Sequence, residues 1–285
     1  MSEICAGIVT FQPEICRLKQ NLKRVVTQVD KVFVVDNNST NLDEIRELVD
    51  SFSRVVLIEN DHNNGIAKAL NQMCEAGDRQ GYKWILTLDQ DTVIPSEMIS
   101  MLQKHTWDSN NGIICPAVCY DGWNENIKPK PSIEYIYACM TSASLTRLQA
   151  WKIVGGFREE YFIDFVDNEF CMKLRLNHYK ILRVNSCCIN HQLGDSGLKI
   201  LFGFKIKYSR HSPLRLYYMA RNNYSFIKEY ADYLPTMKEK IKLIYVLIQG
   251  IMFSEKKGEA FRFVKRGLSD GKKGVLGKYR TDKGV

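Results

Sequence analysis

The chain has 285 residues, 45% hydrophobic and 25% charged, the make-up of an ordinary globular protein that can bury one large core or two modest ones. Its nine cysteines lack CxxC spacing, and Cys187 and Cys188 are adjacent, so they form no readable disulfide framework or zinc box, and free, buried thiols in a reducing compartment are the better reading. The net charge of +8 is unevenly spread: residues 198–285 hold 20 Lys and Arg against 7 acids, and residues 1–197 hold 20 against 25, so a mildly acidic body carries a basic C-terminal region.

Met1 leads straight into a strand-like run, Ile4 to Phe11, with no basic stretch followed by an apolar leader, so a cytoplasmic protein is expected. Pro13 opens a helix with Ile15, Leu18, Leu22, Val25 and Val29 on one face. Val32 to Val35 is a second strand, ending in Asp36-Asn37-Asn38-Ser39-Thr40, and a helix over 42–52 leads to a third strand at 55–58. Asn63-Asn64-Gly65 precedes a helix from Ile66 to about Asp78, and a fourth strand, Trp84 to Leu88, runs into Asp89-Gln90-Asp91-Thr92. This alternation predicts an α/β fold with a mostly parallel sheet and helices on both faces. Polar clusters after three of the four strands gather along one rim, the layout of a nucleotide site. Neither a G-x-G-x-x-G nor a Gly-Lys-Ser/Thr loop is present, so a dinucleotide fold and a P-loop are not supported.

Past Asp91, Pro95 and Ser96 open another helix, 112–115 reads as a strand, 121–132 as a loop, and short strands surround 135–145. A helix over 148–153 ends at Gly155-Gly156, a plausible left-handed stop. Residues 170–176 read as a helix, 181–184 as a strand and 213–268 as mainly helical. The division expected is a catalytic body over 1–197 and a basic, mainly helical region over 198–285. Within the latter, 241–253 is too short to span a bilayer. Flanked by Lys238, Lys240, Lys256 and Lys257, it reads either as a core helix with solvated ends or as a helix lying at an anionic membrane surface. The basic-aromatic stretch 201–208 carries the same two readings. Because its bases are interleaved with apolar stretches, the region is not read as binding nucleic acid.

The Asp89-Gln90-Asp91 step carries the most chemistry. Two carboxylates one residue apart, at the carboxyl end of a buried strand, are hard donors suited to Mg²⁺ or Mn²⁺, ions that share their coordination with phosphates. The alternative is a surface turn with two solvated acids. In Tyr161-Phe162-Ile163-Asp164-Phe165-Val166-Asp167-Asn168-Glu169, three carboxylates alternate with apolar residues just before a helix. They fit a general base held in a partly apolar pocket, and equally the N-terminal acids of an amphipathic helix. His191, in Asn190-His191-Gln192-Leu193-Gly194, is either a structural donor or a ligand beside Asp91 that Mn²⁺ tolerates.

The order of Val34–Ser39, Asn63–Asn71, Asp89-Gln90-Asp91, Gly155-Gly156-Phe157, Asp164–Glu169 and His191–Gly194 resembles family 2 inverting glycosyltransferases, and within them bacterial rhamnosyltransferases. The resemblance covers roughly residues 3–197 and extends weakly to Tyr218–Asn222. It implies a GT-A fold, a nucleotide-sugar donor such as dTDP-rhamnose, and a lipid-linked or cell-surface glycan acceptor; the basic, apolar, mainly helical C-terminal extension fits an acceptor with a polyprenyl diphosphate anchor. A UDP-hexose or UDP-galactofuranose donor, and a non-catalytic sugar-nucleotide-binding protein, are the alternatives. By resemblance, Thr10, Phe11, Asp36, Asn38, Asn63, Gly65, Asn71 and Asp89 form the nucleotide site. Asp91 and His191 bind Mg²⁺ or Mn²⁺, Asp167 is the base, and Asp164 and Glu169 position sugar or acceptor. Lys173, Arg175 or Arg221 steadies the leaving diphosphate. The N-terminus and the basic, apolar C-terminal segments, rather than the resemblance, carry the expectation of a cytoplasmic enzyme, with peripheral contact to the inner face of the membrane as one of the two readings of those segments. One departure is Thr141-Ser142-Ala143, where such enzymes often carry T-S-G, so a tighter floor to the acceptor site is expected.

Overall fold

The computed structural model describes residues 3–119, 131–190, 196–201 and 204–280. The chain divides into two units, one made of 1–159 and 167–191, the other of 160–166 and 192–285.

Among the described residues the first unit is built on eight strands: β1 (Ile4–Thr10), β2 (Val32–Asp36), β3 (Val55–Glu59), β4 (Trp84–Asp89), β5 (Asn111–Cys119), β6 (Ile133–Ile136), β7 (Ser144–Arg147) and β8 (Lys180–Asn190). They lie in the order β3-β2-β1-β4-β7-β5-β8-β6. β3, β2, β1 and β4 are mutually parallel. β7 is antiparallel to both β4 and β5, so β5 runs with β4, and β8 is parallel to β5. The carboxyl ends of β1, β2, β3, β4, β5 and β8 therefore share one rim. Every residue of β1 and β2 is buried, as expected of parallel strands covered on both faces.

The covering helices are α1 (Ile15–Val25), α2 (Leu42–Asp50), α3 (Ile66–Arg79), α4 (Met98–Gln103), α5 (Leu148–Ile153) and α6 (Val166–Leu176). α1 starts because the Glu14 carboxylate accepts from the Cys16 and Arg17 amides at 3.0 and 2.7 Å, and it buries Leu18, Leu22 and Val25. α5 stops at Gly155 and Gly156, which take φ of 76° and 69°. At Gly156 a Cβ would also meet Asn71 Oδ1 at 2.7 Å, so both backbone sign and space demand glycine there.

Several elements depart from the sequence reading. α6 begins at Val166 rather than 170, and β8 is far longer than 181–184. The expected loop 121–132 lies outside the described residues except for its last two. Of the stretch 201–208, read as helical or membrane-lying, the described residues 201 and 204–208 belong instead to an antiparallel strand pair, β9 (Ser196–Leu201) and β10 (Phe204–Ser209). Its Phe-Lys-Ile-Lys-Tyr alternation has the period of a strand, not a helix. The expectation of free thiols also needs correction: Cys119 and Cys188 are joined as a disulfide, with Cα atoms 6.1 Å apart where β5 and β8 run side by side, and the other seven cysteines are free.

The second unit contains that strand pair and three helices, α7 (Pro213–Glu229), α8 (Thr236–Phe253) and α9 (Lys257–Lys273). Leu216, Ala220, Ile227, Leu243, Leu247, Ala260 and Val264 form their shared core. α7 and α9 approach closely at Gly267, where a Cβ would meet the Tyr217 carbonyl oxygen at 2.4 Å. The loop 160–166 groups with these helices, which no single boundary along the chain anticipates.

Candidate active site

The Asp89–Asp91 turn leaves β4 at the carboxyl rim with its backbone fastened from several sides. Ser142 Oγ accepts from the Asp89 amide at 3.0 Å, and Asn21 Nδ2 donates to the Asp89 carbonyl at 2.9 Å. Arg17 Nε donates to the Asp91 carbonyl at 2.7 Å, and the Phe11 amide donates to Gln90 Oε1 at 2.8 Å. Ser142 is held in turn by Thr92, the two hydroxyls 2.8 Å apart. A turn tied this way holds its side chains without reorganisation. Asp91 is exposed, and among the described residues no hydrogen bond occupies its carboxylate. Its two hard oxygens on a fixed backbone suit Mg²⁺ or Mn²⁺. Among the described residues there is no group of three or more His, Cys, Asp or Glu that could hold a metal, and His191, the expected second ligand, lies outside them. Arg17, Asn21, Gln90 and Ser142 escaped the sequence reading. Of these Gln90 stood inside the Asp89-Gln90-Asp91 step and Ser142 inside Thr141-Ser142-Ala143, where Ala143 adopts φ 63°, the conformation glycine takes without strain.

Beside this turn, Thr10 and Asp36 end the adjacent strands β1 and β2. Both are fully buried, and Asp36 accepts from Thr10 Oγ1 at 2.8 Å, Ser39 Oγ at 2.6 Å and the Ser39 amide at 2.8 Å. These two residues therefore build the loop after β2, and the surface they support presents Phe11 and Asn38, both exposed, the latter at φ 66°. Asn63 Oδ1 accepts from the Gly65 amide at 2.9 Å, and the Gly65 carbonyl receives Asn37 Nδ2 at 3.2 Å, which fixes the entry to α3. Asn71 departs from the expected nucleotide role. Its Oδ1 accepts from the Phe157 amide at 2.8 Å and Trp151 Nε1 at 3.0 Å, and its Nδ2 donates to the Phe157 carbonyl and Glu159, both at 2.9 Å. All four hydrogen-bonding positions of the amide are used inside the fold, so it clamps the Gly155-Gly156-Phe157 turn.

α6 runs back along β5: Leu174 lies against Gly112 near that strand's start, while Cys171 reaches the Cys139 carbonyl and Cys139 meets Cys115 further along the strand, so the first turn of α6 lies towards the carboxyl rim and its last turn towards the opposite one. Asp167 and Glu169 stand in that first turn, where the helix dipole favours carboxylates. Asp167 is partly exposed and its Oδ1 accepts from the Asn168 amide at 2.9 Å. Glu169 is buried and pairs with Lys173 at 3.5 Å, and the Lys173 ammonium also donates to the Gly156 carbonyl. Lys173 is thus engaged within the fold. Arg175 is placed away from the rim altogether: its guanidinium lies 4.5 Å from the Tyr137 ring, beside Lys180 and Ile181 at the amino end of β8.

In the second unit, Arg221 likewise differs from expectation. Arg221 is fully buried and stacks 4.9 Å from Tyr218. Its Nη2 donates to the Glu160 and Tyr161 carbonyls at 3.3 and 3.1 Å, its Nη1 to Gly277 and its Nε to Asn222 Oδ1 at 2.9 Å. Asn222 Nδ2 meets the carbonyls of Tyr161, Ile163 and Asp164 at 2.9, 2.8 and 2.9 Å. Arg221 is a structural clamp rather than a phosphate ligand. The two residues hold a loop in which Phe162, Asp164 and Phe165 all take φ of 64–65°. Asp164 pairs with Arg215 at 3.2 Å. Burial raises its pKa, opposed by the Arg215 charge.

A mostly parallel sheet with an Asp-x-Asp turn at the carboxyl end of a central strand defines the GT-A class of nucleotide-diphospho-sugar transferases. Solved structures agree on the fold: S. aureus TarS 1–349 in complex with UDP-GlcNAc superposes with a TM-score of 0.57 at 16% identity, covering 96% of this chain and 82% of that one. GalNAc-T7 with UDP, GalNAc and Mn²⁺ gives 0.57 at 13% identity, covering 94% of this chain and 56% of that one. Residues 7–182 match the profile of glycosyl transferase family 2, and the chain belongs to that family: it is a glycosyltransferase. It is 30% identical over 298 residues to the dTDP-rhamnosyl transferase RfbF of Shigella flexneri, spanning 97% of each chain. No described helix is long and apolar enough to cross a membrane.

Proposed function

We propose that this enzyme transfers L-rhamnose from dTDP-rhamnose to a glycan acceptor, lipid-linked or at the cell surface, with inversion at the anomeric carbon and with Mg²⁺ or Mn²⁺. The observation that carries the reading is the fastened turn that presents the Asp91 carboxylate on the same rim as the first turn of α6. The full-length similarity to a dTDP-rhamnosyl transferase supports the donor.

In this reading Phe11 and Asn38 border the nucleotide base, on a loop that Thr10 and Asp36 shape from beneath. Asp91, with Asp89 and His191, would hold the divalent ion. When bound, the ion supplies charge neutralisation to the departing nucleotide diphosphate. Asp167 takes the proton from the acceptor hydroxyl as its oxygen attacks the anomeric carbon opposite the leaving group. One displacement needs no enzyme nucleophile, so configuration inverts. Glu169, buried and paired with Lys173, fixes the first turn of α6 and through it the direction of Asp167.

The test is nucleotide release with Mn²⁺ from dTDP-rhamnose, UDP-galactose, UDP-glucose and UDP-N-acetylglucosamine in the presence of a lipid-extracted acceptor. Release from dTDP-rhamnose alone is expected. Release from a UDP-sugar instead would retain the site and overturn the rhamnose assignment.

A further inference from the structure

The outer face of α8 is apolar and uncovered. Leu243 and Leu247 point inward, into the core shared with α7. On the opposite side Met237, Ile241, Ile244, Tyr245, Ile248 and Met252 are exposed, from 46% at Met252 to 71% at Met237. At 3.6 residues per turn these six fall within an arc of about 100°. Single exposed apolar residues are ordinary, but six large ones aligned on one helix face mark an interaction surface.

The charge around the arc says what it meets. Lys238 and Lys242 lie along one border and Lys240 along the other, all exposed, and exposed Lys256 and Lys257 follow the helix. The one acid of α8, Glu239, is turned from the arc and pairs with Lys242 at 2.7 Å. A two-fold contact between copies of this face would bring lysine borders together, which like-charge repulsion opposes. An anionic headgroup layer would neutralise both borders while acyl chains receive the apolar arc. The helix is about 27 Å long and carries four charges in its first two turns, so it lies along a surface rather than crossing it.

We propose that α8 is a monotopic docking helix that seats the enzyme on an anionic lipid bilayer through Met237, Ile241, Ile244, Tyr245, Ile248 and Met252.

Full-length protein is floated with phosphatidylcholine vesicles containing one third phosphatidylglycerol, and with pure phosphatidylcholine. Binding is expected to the anionic vesicles and to weaken as salt rises. Ile241→Asp combined with Ile248→Asp lowers it by about a hundredfold, and each of Lys238→Ala and Lys240→Ala by about fivefold. Because these side chains are exposed, the melting temperature and nucleotide release from a soluble donor stay unchanged. The lysine variants carry the test should the double variant fail to fold. Absence of binding by the wild type, binding indifferent to the α8 substitutions, or a wild-type dimer that the double variant converts to monomer would each overturn the proposal.

Discussion

Two carboxylate-bearing loops of this chain are held by the same device and put to opposite use. The Asp89–Asp91 turn and the 160–166 loop are both fixed by side chains bonded to their backbones: Ser142, Asn21 and Arg17 in the first, Arg221 and Asn222 in the second. In the first the clamps leave Asp91 open to solvent. In the second the backbone is forced into three left-handed residues, and Asp164 is largely buried against Arg215. Left-handed non-glycine residues cost about 1–2 kcal/mol each, so the second loop stores strain that its clamps offset. A fastened backbone is common to both, and the exposed carboxylate distinguishes the loop suited to bind a cation from the one suited to hold shape.

The comparison breaks most directly at the two acids assigned to chemistry. Asp91→Ala is expected to lower kcat/KM for transfer by about a thousandfold or more, the several kcal/mol an aligned cation supplies, while melting as the wild type does. Asp167→Asn should lower kcat by about a hundredfold or more yet keep nucleotide affinity, separable by measuring binding and turnover on one preparation. Asn222→Leu strands three carbonyls on a strained loop and should cost about 2–3 kcal/mol in urea unfolding of the full chain. A loss under ~0.5 kcal/mol would deny the loop its clamp. Gly267→Ala, pressed against the Tyr217 carbonyl, should destabilise by about 1–3 kcal/mol. The smallest effect is a pH dependence. The folded pKa of Asp164 is raised, so the folded state binds more protons than the unfolded one, and this residue's contribution to stability falls as pH rises from the ordinary carboxylate range through the folded value. Asp164→Asn removes that slope, read as a stability difference from wild type that changes across acidic pH and levels off above it.

What could be read from sequence was local. Strands ending in Asp36 and Asp89 showed themselves because apolar runs stop abruptly at polar clusters, and the first turn of α6 because its acids crowd a helix start. What could not be read was set by residues far apart in the chain. Arg221 looks like a phosphate-binding cation until the Tyr161 carbonyl, sixty residues earlier, takes its guanidinium. Asn71 looks like a ligand until Phe157 and Trp151 fill its amide. The disulfide joins Cys119 and Cys188, 69 residues apart, through strand pairing that no spacing rule encodes. The β9–β10 strand pair was legible in its period-two alternation and was obscured by its basic-aromatic composition.

The central claim is that Asp91 presents a cation to a nucleotide diphosphate, and calorimetric titration of dTDP into wild type and Asp91→Ala, each with and without Mn²⁺, tests it most directly. The account predicts that Mn²⁺ tightens dTDP binding to the wild type by at least about tenfold, one decade per 1.4 kcal/mol, and leaves the variant unchanged. Equal tightening in both proteins, or none in the wild type, would contradict it.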